Sequence, residues 1–410
     1  MKVVQINFVF SSGSTGKIVT DIDLFLRQQG ISSLIFYGRK KHKSVDNIYK
    51  FCTEFESYIQ SLFLRLGITL EYGGCNFATW RLIRRLKKEK PDIVHLHCLN
   101  GSCVNIYRLL RFLGKNRIKT VVTHHAEFYY TGSCPHAYDC LGFANDECAN
   151  CPTPRTATRN RVGNRAHEAW RKMRNAFATF QKGCLVFTAV SPWVKQRSSL
   201  SPIVNEHQCE VVLNGVDTKI FRRQVNNDLI KEKCPSKKQK FLFVSANFDP
   251  IDKYHNKGGW YIIELAKRIP EAIFIVVTPF ARNTDSLPEN VYLWGKANSS
   301  IELAELYSSV DLTLIASRRE TFSMILAESL CCGTPVVGFK AGGPESIAIK
   351  EYCELVDFGD IDKYEKAVKL MLSKNVDRME ISKQASDLYG SHSMTQGYLN
   401  IYNKLLTNSL

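Results

Sequence analysis

The chain of 410 residues has no apolar run of membrane-spanning length, so no transmembrane helix is expected. It is short of acid: 39 Asp and Glu stand against 55 Lys and Arg, a formal charge of +16. That imbalance points to anionic partners, which are nucleic acid, a phospholipid surface or phosphorylated small molecules. There is no internal repeat and no low-complexity segment, which sets aside repeat arrays and disordered chains. The first eight residues read as a strand with no cleavage-site signature, so no export signal is expected. Without export, the fourteen cysteines are not expected to form a disulfide framework. Cys98, Cys184, Cys209, Cys331 and Cys332 sit in apolar runs, as core cysteines do.

What is present is ample for folding. Hydrophobic residues make up 44% and aromatics 11%, and 410 residues exceed one ordinary core, so two domains are expected. Short apolar runs at 3–8, 33–37, 91–97, 119–123, 184–190 and 210–213 alternate with helical spacing. A polar, Lys-rich stretch at 224–239 reads as a linker, and a second βα series begins at 241. The fold class is therefore α/β: two Rossmann-like, doubly wound parallel-sheet domains, at 1–223 and 240–390, with a final helix in 391–410. Residues 126–156 form a long loop with little periodicity.

The most informative stretch is 317–345. An apolar run at 311–316 leads into a loop holding Arg318 and Glu320; helical spacing begins near Phe322, and Gly333 stops it. Backbone N–H groups near Thr321, Phe322 and Ser323 would meet phosphate or sugar oxygens at the helix N-terminus, and Glu328, two turns on, could accept from ribose hydroxyls. A helix-end charge and a solvated glutamate would give the same pattern. Lys257, beside Gly258 at a helix opening, suits a pyrophosphate or plain solvent. Gly13 and Gly16 form a glycine-rich turn after the first strand, but Lys17 is followed by Ile18, which breaks the Walker spacing. His124 and His125 end one strand, with His95 and His97 on its neighbour, where a histidine could touch a sugar or move a proton.

Two further features stand out. Cys134, Cys140, Cys148 and Cys151 could hold a structural zinc, form two disulfides, or remain thiols. Arg81, Arg84 and Arg85, with Arg161 and Arg165, make the first domain the basic one and suit an anionic membrane surface or a phosphorylated acceptor. Nucleic acid is not expected, since neither a nucleic-acid module nor an aromatic stacking platform is evident.

Glu320-Thr-Phe-Ser-x4-Glu328-Ser-Leu-x2-Gly333-Thr-Pro335-Val-Val, followed by Gly342-Gly343-x-Glu345, resembles the E-x7-E region of retaining glycosyltransferases of family 4. Asn214-Gly-Val-Asp217-x3-Phe221 and Lys257-Gly258 fall in the same order. The Thr131-Gly-x-Cys134 loop ending at Cys151-Pro152 resembles the subgroup that builds bacterial surface polysaccharides, including colanic-acid-type transferases. The resemblance implies a GT-B fold, two Rossmann-like domains facing across a cleft, with the acceptor served by the first and the nucleotide sugar by the second. It implies that Glu328 holds the ribose, Glu320 the donor sugar and Lys257 the diphosphate, with His125 near the sugar and Gly13 and Gly16 near the phosphates. It implies a UDP- or GDP-sugar donor, a lipid-linked saccharide acceptor, retention at the anomeric carbon, no catalytic cofactor, and a place on the cytoplasmic face of the membrane. A related epimerase or phosphorylase, or an inactive nucleotide-sugar-binding scaffold, is the alternative. Three departures from the family pattern are visible: Ser323 stands where glycine is usual, Ala126 follows His125, and the arginine before Lys-Gly is not evident.

Overall fold

Apolar runs of four to six residues, buried on both faces, become parallel strands because helices cover both sides of each sheet. The structure, a computed structural model, describes residues 1–40, 46–160, 162–224, 230 and 238–407. The chain divides into two units, Met1–Leu213 with Met394–Leu410, and Asn214–Ser393.

The first unit is built on a seven-stranded parallel sheet. Its strands are β1 (Lys2–Asn7), β2 (Ser32–Tyr37), β3 (Ile48–Lys50), β4 (Ile93–Leu96), β5 (Lys119–His124), β6 (Leu185–Ala189) and β7 (Gln208–Val211). Their order is β3-β2-β1-β4-β5-β6-β7. The order reverses between β1 and β4, which pair with Val3 opposite Ile93 and Ile6 opposite Leu96. Loops leaving the carboxyl ends of those two strands flank the switch point, the usual place for a ligand in such sheets. Helix α1 (Gly13–Gln28) follows β1 and buries Ile18, Val19, Ile22 and Leu26. Helices α2 (Glu54–Arg65) and α3 (Asn76–Glu89) precede β4. The last helix, Ser391–Leu406, buries Met394, Tyr398, Tyr402 and Leu405 in one cluster with Val3, Ile22, Val121 and Val186.

The second unit carries a six-stranded parallel sheet: β8 (Lys240–Val244), β9 (Ile273–Val277), β10 (Val291–Gly295), β11 (Leu312–Ile315), β12 (Val336–Phe339) and β13 (Cys353–Val356). Its order is β10-β9-β8-β11-β12-β13, so its switch point lies between β8 and β11. Phe241, Phe243, Phe274, Leu312, Leu314, Val337, Phe339 and Tyr364 fill the core on one face.

Several details depart from the sequence reading. The edge strands β3 and β13 were not anticipated: one is three half-buried residues, the other a four-residue run containing Glu354. Residues 126–156 are not structureless. They hold the one-turn helices Phe128–Thr131 and Gly142–Asn145, and Pro154–Thr158 follows. Their backbone is held by buried donors from neighbouring helices. Trp170 Nε1 donates to Phe143 O at 3.0 Å. Arg197 bonds the fully buried Glu127 at 2.7 Å and donates to the carbonyls of Tyr138 and Cys140. The first unit ends at Leu213, ten residues before the expected 223 (223 − 213 = 10), because the chain beyond it bonds to the second unit's helices. Val216 N reaches Tyr389 O at 2.7 Å, and Arg223 N reaches Ser382 Oγ at 3.3 Å. Most of the expected linker 224–239 lies outside the described residues.

Candidate functional site

In the second unit the loops leaving β8, β11 and β12 converge, and backbone contacts fix them before any side chain is considered. Glu320, beyond β11, forms a parallel bridge with Gly342, beyond β12: Glu320 N donates to Ala341 O at 2.9 Å and Gly343 N donates to Glu320 O at 2.8 Å. The approach is so close that a Cβ on Gly343 would fall 2.4 Å from Thr321 C. The Glu345 carboxylate accepts from Ala341 N and Gly342 N, both at 2.9 Å, and holds the β12 loop from its other side. Glu345 therefore positions Glu320 through the backbone.

The β8 loop delivers Lys257 to this carboxylate. Lys257 Nζ lies 2.6 Å from Glu320 Oε1, with the two side chains 28% and 19% exposed. The lysine can reach because Gly258 turns with φ +69° directly over β11, where a Cβ would stand 2.0 Å from Ala316 O. Arg318 N donates to Asn256 O at 2.8 Å, tying the same two loops together. Lys253 is not at the pair; its amine sits over the Trp260 ring, 4.8 Å from the centroid.

Ser323 opens the helix Met324–Cys331 at φ +82°, a left-handed backbone that favours glycine. Its hydroxyl accepts from Leu326 N at 3.4 Å, so the side chain caps the helix in return for the backbone strain. The Phe322 side chain is buried, with its ring edge-on to Tyr389. Thr321 is half-buried beside it. Glu328, half-buried on the helix, accepts from Tyr307 OH at 3.3 Å. Burial, and then the Glu328 charge, push the Tyr307 phenol well above its usual pKa, so it remains a donor. Neither Tyr307, Glu345 nor Asn256 was singled out from the sequence. Tyr307 lies in an ordinary helical pattern, while Glu345 was visible only as part of the Gly-Gly-x-Glu motif.

In the first unit, the carboxyl ends of β1, β4 and β5 gather a chain of rings. Gln5 Nε2 donates to Val19 O at 3.2 Å, which orients its amide so that Oε1 faces His97 Nε2, also at 3.2 Å. His97 Nε2 therefore carries the hydrogen, and His97 Nδ1 accepts from His125 Nε2 at 3.1 Å. Burial lowers the His125 pKa to about 3, and burial followed by the neighbouring His95 and His125 lowers that of His97. At neutral pH both are uncharged, so His125 offers a fixed polar contact rather than a proton source. His95 belongs to the core, bonded to Tyr402 OH and Thr123 Oγ1, each at 2.7 Å. His124 is fully buried and stacks on Phe187 at 5.0 Å. Gly13 takes φ +68° with open space around it, and Gly16 packs closely, its Cβ position 3.1 Å from Ser11 N.

The basic residues divide. Arg81 is bound to Glu56 and to Phe51 O, and Arg165 to Glu168 and Gly67 O. Arg85 pairs with Glu89 at 2.9 Å, whereas the exposed Arg84 lies over the Trp80 ring. Arg161 lies outside the described residues. Among the described residues, no group of three or more His, Cys, Asp and Glu side chains is placed to hold a metal ion. Cys134, Cys140, Cys148 and Cys151 are free cysteines, with Cys148 close enough to the other three for their charges to add to burial in raising its thiol pKa. Cys148 Sγ points to Thr131 O at 3.7 Å, Cys140 Sγ accepts from Gly142 N at 3.4 Å, and burial pushes the Cys134 thiol up to about 12.

The chain is similar to known glycosyltransferases over most of its length. The model described as Glycosyltransferase Family 4 matches residues 24–220, and Glycosyl transferases group 1 matches residues 283–387. The putative colanic acid biosynthesis glycosyl transferase WcaC of Escherichia coli (strain K12) is 22% identical over 427 residues, spanning 99% of this chain and 100% of the relative. N-acetyl-alpha-D-glucosaminyl L-malate synthase of Bacillus anthracis is 22% identical over 335 residues, 78% of this chain and 76% of its own. Among solved structures, sucrose-phosphate synthase from Thermosynechococcus elongatus aligns with a TM-score of 0.69 at 13% identity, over 100% of both chains. Anabaena HepE, in complex with UDP-glucose, aligns with a TM-score of 0.68 at 13% identity, over 98% of this chain and 100% of its own. The family models and the two parallel-sheet units together identify the chain as a GT-B glycosyltransferase of the family 4/group 1 type.

Proposed function

We propose that this enzyme is a retaining hexosyltransferase that moves a sugar from a nucleotide-sugar donor to a lipid-linked saccharide in the assembly of a bacterial surface polysaccharide. The observation that carries the donor half is the 2.6 Å Lys257–Glu320 pair on loops stitched together by backbone bonds. Lys257 leaves Glu320 for the donor diphosphate, and the released carboxylate accepts from sugar hydroxyls. Glu328, oriented by Tyr307, accepts from the ribose hydroxyls. Thr321, Phe322 and Ser323 meet the donor through their backbone N–H groups at the helix N-terminus. Arg318 adds positive charge beside them.

In the transfer step the bond from the anomeric carbon to the diphosphate oxygen breaks, and the acceptor oxygen bonds to the same face of that carbon. The acceptor proton passes to the leaving diphosphate. Lys257 and the helix-end N–H groups stabilise the charge that develops on that diphosphate, so fixed positive groups supply the electrostatic work. His125, neutral and fixed by His97, is assigned a contact with the donor sugar, and Gly13 and Gly16 the turn near the donor phosphates. The acceptor half rests on the resemblance to polysaccharide transferases and on the excess of basic residues, which suits an enzyme working at the inner face of the cell membrane.

A thermal-shift screen across UDP-, GDP- and dTDP-sugars comes first, since a specific donor raises the melting temperature by mass action. Labelled donor is then incubated with bacterial lipid extract. Label in the lipid fraction that disappears in Glu320→Ala and Lys257→Ala supports the proposal. Epimerised sugar with no labelled lipid overturns it, as does polymer synthesis in cells that survives both substitutions.

A further inference from the structure

Helix α2 is inside out. It is well formed: Thr53 accepts from Glu56 N at 3.2 Å, and Glu56 Oε2 accepts from Thr53 N at 2.9 Å, a reciprocal cap. Yet the face it buries carries Ser57 and Gln60, along with Leu64. The Gln60 amide donates to Leu70 O at 3.1 Å, and the packing is close enough that a Cβ on Gly74 would fall 1.4 Å from Gln60 Oε1. The opposite stripe, at spacings of three and four, is Phe55, Tyr58, Leu62 and Leu66, which are 71%, 69%, 45% and 56% exposed. A solvent-facing helix normally carries the reverse pattern, and a contiguous outward apolar stripe marks a surface that something covers.

The neighbouring helix says what covers it. Arg81 of α3 bonds Glu56, which ties the first turn of α2 to α3. At the α3 N-terminus Phe77 and Trp80 are exposed and stack on each other at 5.5 Å. Arg84 lies over Trp80, and Lys87, Lys88 and Lys90 follow on the exposed surface. Exposed aromatics bordered by cations are the composition of helices that rest in the headgroup region of anionic membranes. No helix among the described residues is long and apolar enough to cross a membrane. At twelve residues, or about 18 Å, α2 would lie in the interface rather than span it. A second copy of the chain fits less well, because a two-fold contact through this stripe would bring the α3 cations against their own kind.

We infer that α2 is a membrane-docking helix, with its Phe55–Tyr58–Leu62–Leu66 stripe sunk among the acyl-chain ends of an anionic bilayer and the α3 cations at the phosphates. This deepens the proposed function and rests on its lipid-linked acceptor, because it would hold the enzyme at the surface where such an acceptor lies.

The test uses the full chain and vesicles of phosphatidylcholine alone or mixed with phosphatidylglycerol. Co-sedimentation is expected to be at least about tenfold stronger on the anionic vesicles, and a Phe55→Ser/Tyr58→Ser/Leu62→Ser variant is expected to lose at least about tenfold of it. All three positions are exposed, so the urea midpoint of the variant should match the parent. Equal vesicle binding by parent and triple variant overturns the inference. So does a parent that ignores vesicles but is a dimer which the triple variant dissociates; that result assigns the stripe to a second copy. Glu320→Gln separates the two proposals, since it should bind vesicles normally while failing to transfer sugar. If no chain transfers sugar yet the vesicle results hold, the proposed reaction fails and the docking surface stands.

Discussion

The Lys257–Glu320 pair makes an uncommon prediction about ligand binding. If Lys257 serves the donor diphosphate, Glu320 competes for it in the free enzyme, and Glu320→Gln should tighten binding of the bare nucleoside diphosphate while impairing transfer. Fully exposed ion pairs contribute about 0–1 kcal/mol and hydrogen bonds to charged groups about 1.5–3 kcal/mol. With the partners 28% and 19% exposed and 2.6 Å apart, the solvent-discounted competition is about 1–2 kcal/mol. That corresponds to a fall in the diphosphate Kd of about fivefold to thirtyfold. Calorimetric titration of parent and variant reads it directly, and repeating it at high salt should shrink the difference. Transfer should fall by about a hundredfold or more, since Glu320 is then missing from the sugar. Weaker diphosphate binding by Glu320→Gln, with transfer unchanged, would refute both the competition and the assignment of Glu320 to the sugar.

Gly258 and Gly13 have the same backbone, at φ +69° and +68°, but different surroundings. Gly13→Ala should cost only the left-handed strain, about 1 kcal/mol, while Gly258→Ala adds a collision with Ala316 O and should cost about 3 kcal/mol or more by urea unfolding. Similar losses at both sites would show that the close approach does not matter. Burial holds His124 neutral, with its pKa lowered to about 3 and both ring nitrogens without partners. The unfolded chain therefore binds more protons between about pH 6.5 and pH 3, and this histidine's share of stability is full above that window and is lost as pH falls, at about 1.4 kcal/mol per pH unit. His124→Phe should keep the stack on Phe187 and flatten the acid limb of stability against pH; an unchanged limb would mean that His124 is not buried neutral. At Ser323, Gly should be within about 0.5 kcal/mol of the parent, because relief of strain offsets the lost cap, whereas Ala loses the cap and keeps the strain, at about 1–2 kcal/mol. Equal stability of the two variants would remove the capping role.

Strands with both faces buried announce themselves as short apolar runs, so β1, β4, β5, β8 and β11 were legible to within a residue or two at each end, and with them the paired α/β architecture. The edge strands β3 and β13 were not, since a half-buried strand carries polar residues and gives no continuous run. The family resemblance nominated Glu320, Glu328 and Lys257, while His125 also stood out by its place at a strand end, where side chains gather in such sheets. What these residues touch depends on contacts between segments distant in the chain. Lys257 and Glu320 are 63 positions apart and meet only because Gly258 crosses over Ala316 and Gly343 packs on Thr321. The neutrality of His125 comes from burial, and its ring is oriented by hydrogen bonds running through His97 to Gln5, neither of which a sequence displays. Helix α2 is the clearest division between the two sources. Its residues specify a helix through the Thr53 and Glu56 cap and the periodicity that follows. Which face turns outward is decided by Gln60 fitting against Gly74 and Leu70, and local periodicity fixes the spacing of a stripe but not its direction.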